Sequence, residues 1–154
     1  MTQDETMSAF RARFPDAALQ PPDPALRATV GPDGLRGHLE HLHDILHFDY
    51  MVFVTAIDRP DQSLLEMVYR FFSYDSKCAV SIHVLLPRDA ARVASVADIY
   101  RTAEWHERET AEMFGIEFVG HPDPRKLLLP DEIDGHPLRK DFSHPNMVPL
   151  PEVE

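Results

Sequence analysis

Apolar residues along this chain recur with two different periods. Leu35, Leu39, Leu42 and Leu46 fall at i, i+4, i+7 and i+11, which lines one side of a helix over residues 35–47. Farther on the period shortens to two. In LLEMVYRFFSY (64–74), Leu65, Met67, Tyr69 and Phe71 share one side, with Glu66 and Arg70 on the other. In CAVSIHVLL (78–86), Cys78, Val80, Ile82, Val84 and Leu86 share a face. The run MVFVTAI (51–57) is apolar on both sides, as expected of a central strand buried on both faces. The connections DRPDQS and DSK are short and rich in turn formers, so the three strands read as an antiparallel meander that Pro87 closes.

The flanks are less periodic. Met7, Phe10, Arg11 and Phe14 predict a short helix over 5–14, stopped by Pro15. LQPPDPAL reads as a linker that cannot be helical, and Arg27 to Val30 as a short strand. Ser95 and Asp98 have capping-box spacing, with Asp in place of the usual Glu or Gln, and predict a short helix. A second helix over 103–114 ends at Gly115, a residue suited to the left-handed C′ position. From Gly120 to Glu154 there are seven prolines and no apolar stripe, although Leu127, Leu128 and Leu129 cluster. A free tail is poorer in such residues, so the segment reads as an ordered arm lying on another surface. Two GHP triplets, at 120–122 and 135–137, are too short to count as a repeat.

The expected fold class is therefore α+β: a small, mainly antiparallel sheet with packed helices and an extended proline-rich C-terminal arm. Its expected divisions are an N-terminal helix and linker (1–25), a core domain (26–119) and an arm contacting a partner (120–154).

Composition narrows the function. At 154 residues and 44% hydrophobic content the chain forms one domain with a real core. A formal net charge of −11 repels phosphate backbones and argues against nucleic acid as a partner. The single cysteine, Cys78, excludes an internal disulfide and a Cys-ligated zinc or iron–sulfur site, and its alternating context makes it a small buried hydrophobe. No apolar run approaches the roughly 20 residues that cross a bilayer, and the acidic start MTQDETMSAF lacks the basic and apolar regions of a signal peptide. The expectation is a soluble chain, or one held at a membrane through other subunits.

Candidate chemistry is sparse. His38 and His41 lie on one flank of the leucine stripe and His43 and His47 on the other, so they do not converge on one ion; solvated flanks account for them. No GxSxG, P-loop or GxGxxG sequence is present. The dense region is EWHERETAEMFGIEFVGHPDPRKLLLPDEIDGHPLRKDF. There Glu104 with Arg108, and Arg108 with Glu112, have i, i+4 spacing for surface ion pairs. Glu107 shares the inward arc with Ala103, Ala111 and Phe114, where a carboxylate needs a partner; Arg125, Lys126, Arg139 and Lys140 of the arm are the candidates. Trp105, Glu109 and Glu112 share the outward side, either as a partner-binding patch or, for Trp105, under the chain's own arm. A free-standing enzyme using His and carboxylates is the competing class.

The segments ERETAEMFG, GHPDPRK and DGHPLRKDF resemble the signature of the thirty-kilodalton subunit family of proton-pumping NADH:quinone oxidoreductase (respiratory complex I) and related complexes. The matching positions are Glu107, Arg108, Glu109, Phe114, Gly115, His121, Pro122, Arg125, Pro137, Leu138, Arg139, Lys140 and Asp141, with Trp105 adjoining them. The likeness runs over 95–142 and more loosely over 26–87; Thr110 to Met113 and Lys126 depart from the usual pattern. The resemblance implies a non-catalytic peripheral-arm subunit that supports electron transfer from NADH to quinone coupled to proton translocation. It implies no cofactor in this chain, with flavin and iron–sulfur clusters in partner subunits. Foremost among its partners is the large subunit that helps form the quinone site, on the cytoplasmic side of the cell membrane. Equivalent subunits of energy-converting membrane hydrogenases, formate hydrogenlyases and ferredoxin- or F420-linked complexes share these features, which leaves the electron donor open.

Overall fold

The computed structural model describes residues 1–20 and 23–148. Helix α1 (Gln3–Arg13) opens on a reciprocal cap: the Thr2 hydroxyl accepts from the Glu5 amide, and the Glu5 carboxylate accepts from the Thr2 amide. It buries Phe10, and Phe14 just beyond it is buried too.

The linker expected over 19–26 is corrected. Strands β1 (Ala18–Gln20) and β2 (Asp23–Val30) pair antiparallel, Leu19 facing Leu26 and Ala18 facing Arg27. Pro21 and Pro22 lie outside the described residues. Residues beside proline prefer extended backbone, which serves a strand as readily as a linker. β2 then runs parallel to a later strand, a pairing that nothing local in the sequence announces.

Helix α2 (Leu35–Asp44) buries Leu35, Leu39 and Leu42, and Leu46 follows them into the core. Strands β3 (Tyr50–Arg59), β4 (Leu64–Ser73) and β5 (Cys78–Pro87) form the expected meander. The sheet order is β1-β2-β5-β4-β3, with β2 and β5 parallel. The central position expected for 51–57 is thus corrected: β3 is an edge strand. Its core-side residues Met51, Val54 and Ala56 are buried, whereas Phe53, Thr55 and Ile57 are half-buried on the side that carries no helix, and Val52 sits in a bulge. Helix α3 (Ala103–Phe114) lies along β3 and shields this edge.

Leu65, Met67, Tyr69 and Phe71 from β4 and Val80, Ile82, Val84 and Leu86 from β5 are fully buried, each contributing about 1.5–3 kcal/mol of transfer free energy. Cys78 is buried among them. One cluster joins these side chains to Phe10 and Phe14 of the N-terminal segment and the leucines of α2.

Strands β6 (Arg92–Ala94) and β7 (Glu117–Val119) form a small parallel pair around α3. The short helix expected at Ser95 is corrected to a single turn, closed by Tyr100 N–H on Val96 O; the Ser95 hydroxyl is committed elsewhere. Helix α3 ends as expected at Gly115, with φ 72° and ψ 45°. Beyond Gly120 the described residues form turns and bends without a regular element. Among the described residues no helix is long and apolar enough to cross a membrane.

Candidate functional site: where the arm meets helix α3

A helix leaves its last carbonyls without intrahelical donors. In α3 the arm supplies them. His136 donates through Nδ1 to Glu112 O at 2.9 Å, Leu138 N–H to Met113 O at 3.1 Å, and Arg139 Nε–H to Phe114 O at 2.7 Å. Arg139 also donates to Arg88 O at 3.1 Å. The stretch from His136 to Arg139 is therefore a C-terminal cap delivered from a distant part of the chain.

Two GHP triplets do related work. His121 donates through Nε2 to Glu104 O at 2.9 Å, while its Nδ1 accepts from Asp123 N–H at 3.0 Å. His136 grips a carbonyl two turns farther along the same helix. Each histidine follows a glycine with positive φ, 81° at Gly120 and 95° at Gly135. The resemblance between the triplets is functional, although it is too short to register as a repeat.

Carboxylates and an arginine of α3 organise the rest of the arm. Glu112, buried rather than outward as expected, accepts three consecutive amides: Leu127 at 3.1 Å, Leu128 at 2.9 Å and Leu129 at 3.0 Å. The helical wheel places it outward because the arm that covers it is invisible to the wheel. Arg108 donates to Arg125 O at 2.9 Å and Lys126 O at 3.0 Å, with Asp123 at 3.5 Å. The expected pairs of Arg108 with Glu104 and Glu112 do not form, since exposed pairs are weak and the arm's carbonyls are better placed.

Glu107 is fully buried, as the wheel requires, but its partner is a correction. No arm arginine or lysine reaches it. Its oxygens accept from Ser95 Oγ–H at 2.5 Å and Val96 N–H at 2.8 Å, and His121 Nε2 stands 3.8 Å away. Burial pushes its carboxyl above the ordinary range, and the two hydrogen bonds oppose that shift. The local hydroxyl and amide satisfy the carboxylate without a second buried charge.

A third contact pins the arm to the sheet. Asp58, 3% exposed at the end of β3, accepts from Arg88 Nε at 2.7 Å and from Lys140 N–H at 2.8 Å. The Arg88 guanidinium holds the Asp58 carboxyl down at about 2. Arg88 also donates to Asp141 at 2.7 Å. Nothing in the sequence pattern singles out Asp58, Arg88, Ser95 and His136 as parts of one site. The signals present are the arginine directly after Pro87 and the histidine in the second GHP triplet.

The remaining candidates are on the outside. Trp105 is 58% exposed with the Arg108 guanidinium 5.4 Å from its ring centroid, so the arm does not cover it. Glu109 and Pro122 are exposed, Pro137 is half-buried, and Arg125 pairs with Asp123 at 2.7 Å in solvent. Among the described residues no three His, Cys, Asp or Glu side chains gather as a metal site.

The chain belongs to the family of the respiratory-chain NADH dehydrogenase 30-kDa subunit, whose family model matches residues 28–148. It is 41% identical over 118 residues to the C subunit of the F(420)H(2) dehydrogenase of Methanosarcina mazei, covering 76% of this chain and 75% of that protein. It is 32% identical over 139 residues to the C subunit of the NADH-quinone oxidoreductase of Moorella thermoacetica, covering 90% and 94%. A chain in the structure of the membrane-bound sulfane sulfur reductase, an archaeal respiratory membrane complex, superposes with a TM-score of 0.74 at 28% identity, covering 91% of this chain and 85% of that one.

Proposed function

We propose that this chain is a non-catalytic subunit of the peripheral arm of a membrane-bound NADH:quinone oxidoreductase. In this reading it braces the assembly that carries electrons from NADH to quinone and couples them to proton translocation. One observation carries the reading: the arm turns its hydrogen-bonding groups inward and its apolar side chains outward. Amides 127–129, 138 and 140 are held by the domain, while Leu128, Leu138 and Met147 stand 58%, 54% and 57% exposed. Apolar groups presented on an already pinned backbone lose little further entropy on association. The surface they meet belongs to a neighbouring protein of the complex, foremost the large subunit that helps form the quinone site. With Cys78 its single cysteine, this chain lacks the thiolates of an iron–sulfur cluster, so clusters and flavin are assigned to partner subunits. The chain then sits on the cytoplasmic side of the cell membrane and reaches it only through its partners.

Affinity purification of the tagged chain from membranes in mild detergent, followed by mass spectrometry, tests this. Co-purification of the quinone-site subunit is expected; a chain that elutes alone from intact membranes contradicts the reading.

The similarity to the Methanosarcina mazei protein favours a second version, the equivalent subunit of an F420-linked complex. A ferredoxin-linked complex, an energy-converting membrane hydrogenase or a formate hydrogenlyase differs from it in the electron-input module alone. The same purification separates these versions by whether NADH-oxidising, F420-oxidising or nickel-binding subunits accompany the chain.

A further inference from the structure

The five-stranded sheet has two faces, and the core uses one. Leu26, Val80, Tyr69 and Val54, neighbours across the sheet, belong to the core cluster, and no residue on the opposite side of these strands does. At the centre of that second face is Glu66, 3% exposed. It accepts from Arg59 Nε at 3.0 Å and Nη2 at 2.8 Å, pairs with Arg27, and lies 2.8 Å from His83 Nδ1. Arg70 stands beside it and donates to Ser81 Oγ at 2.9 Å.

Burial pushes the Glu66 carboxyl up, but the hydrogen bonds from Arg59 and His83 and the charge of Arg27 outweigh it and hold the group below its ordinary range. The carboxylate is therefore charged and fixes the guanidinium groups around it. Three arginines surround one glutamate, the single acidic side chain on this face within the paired registers of β2, β5, β4 and β3. A chain of formal net charge −11 thus carries one face with excess positive charge.

Aromatic residues edge this face. Tyr50 and Tyr74 meet edge to face at 5.6 Å between centroids, and Phe72 and Tyr74 at 5.0 Å. Tyr50 is 47% exposed, Tyr74 69%, and Leu85 beyond His83 is 42%. Tyr, Phe and Arg are the residues enriched in protein–protein interfaces. The flat fork of a held guanidinium matches a carboxylate in geometry as well as charge. An anionic membrane or a nucleic acid would instead meet the repulsion of the chain's overall negative charge.

We propose that this second face, centred on Glu66 and its arginines and edged by Tyr50, Tyr74 and Leu85, docks an acidic segment of a partner protein. The surface is separate from the arm, and the proposal rests on the reading of the chain as a subunit of a complex.

A photo-crosslinking residue at position 85, with a second variant carrying it at position 138, tests this in the complex purified in mild detergent. The expected product at position 85 is a crosslink to a partner peptide rich in Asp and Glu. Leu85→Glu, which alters no hydrogen bond, is expected to leave the melting temperature unchanged and lower recovery of that partner about tenfold. A crosslink at position 138 with none at position 85 overturns this inference alone. A crosslink at position 85 to lipid, to nucleic acid or to a peptide lacking acidic residues overturns it as well. No crosslink at either position overturns both this inference and the proposed function.

Discussion

A Cβ built on Gly115 would lie 2.4 Å from Nε2 of His136. The two residues are therefore in register by exclusion: the ring occupies the space that any side chain at the helix end would need. Gly115 also has φ 72°, where a β-carbon is strained. Gly115→Ala is expected to destabilise the chain by about 1–3 kcal/mol. Limited proteolysis should then cut first within 120–148. Combined with His136→Ala, which clears the ring, the loss should be less than the sum of the two single effects, as a double-mutant cycle in denaturant would show.

Glu112 tests the arm's inward side. Glu112→Ala leaves the amides of Leu127, Leu128 and Leu129 without their acceptor. The expected cost is about 1–3 kcal/mol. The sharper readout is local: these three amides should exchange with solvent faster, while those of β4 and β5 keep their rates.

Two carboxylates respond to pH in opposite senses. Asp58 is depressed to about 2 from 3.8, so its stabilising contribution is present above 3.8 and is lost as pH falls through about 2. Glu107 is raised above 4.5 by burial, so its contribution is full below 4.5 and is lost as pH rises through the raised value. Urea midpoints measured between about pH 3 and 7 should show the deficit of Asp58→Asn shrinking toward acid. The deficit of Glu107→Gln relative to the native chain should shrink toward neutral pH. Parallel trends for both variants would contradict these assignments.

The outward side of the arm is tested by Leu138→Glu. Leu138 is 54% exposed and contributes only its backbone amide to the cap on Met113. The isolated variant should melt within about 0.5 kcal/mol of the native chain. Its recovery with partner subunits should fall about tenfold, since an interfacial charge without a partner is costly.

Much of the frame is legible in the chain, and the failures have physical causes. Leu65 to Phe71 and Cys78 to Leu86 alternate because one face meets the helices and the other does not, a local signal with period two. The leucines of α2 and the stop at Gly115 are equally local. Strand β2 is longer than its sequence suggests, because its parallel partner β5 lies more than fifty residues away and its prolines imitate a linker. MVFVTAI reads as a central strand because the outer face of β3 carries Phe53 and Ile57; composition alone does not distinguish a helix-covered face from an open apolar one. In the candidate site the wheel finds the buried carboxylate of Glu107, but its partners Ser95 and Val96 depend on a turn that only the tertiary fold creates. Glu112 escapes the wheel for the converse reason, since the arm turns an exposed helix position into an internal one.

The central claim is that residues 120–148 are pinned to α3 and grip a neighbour. Hydrogen–deuterium exchange of that segment, in the isolated chain and in the assembled complex, measures this most directly. In the isolated chain the amides of Leu127, Leu128, Leu129, Leu138 and Lys140 should be protected, and protection around Leu128 and Leu138 should deepen on assembly. Exchange of the segment at unstructured rates within the complex would contradict the account.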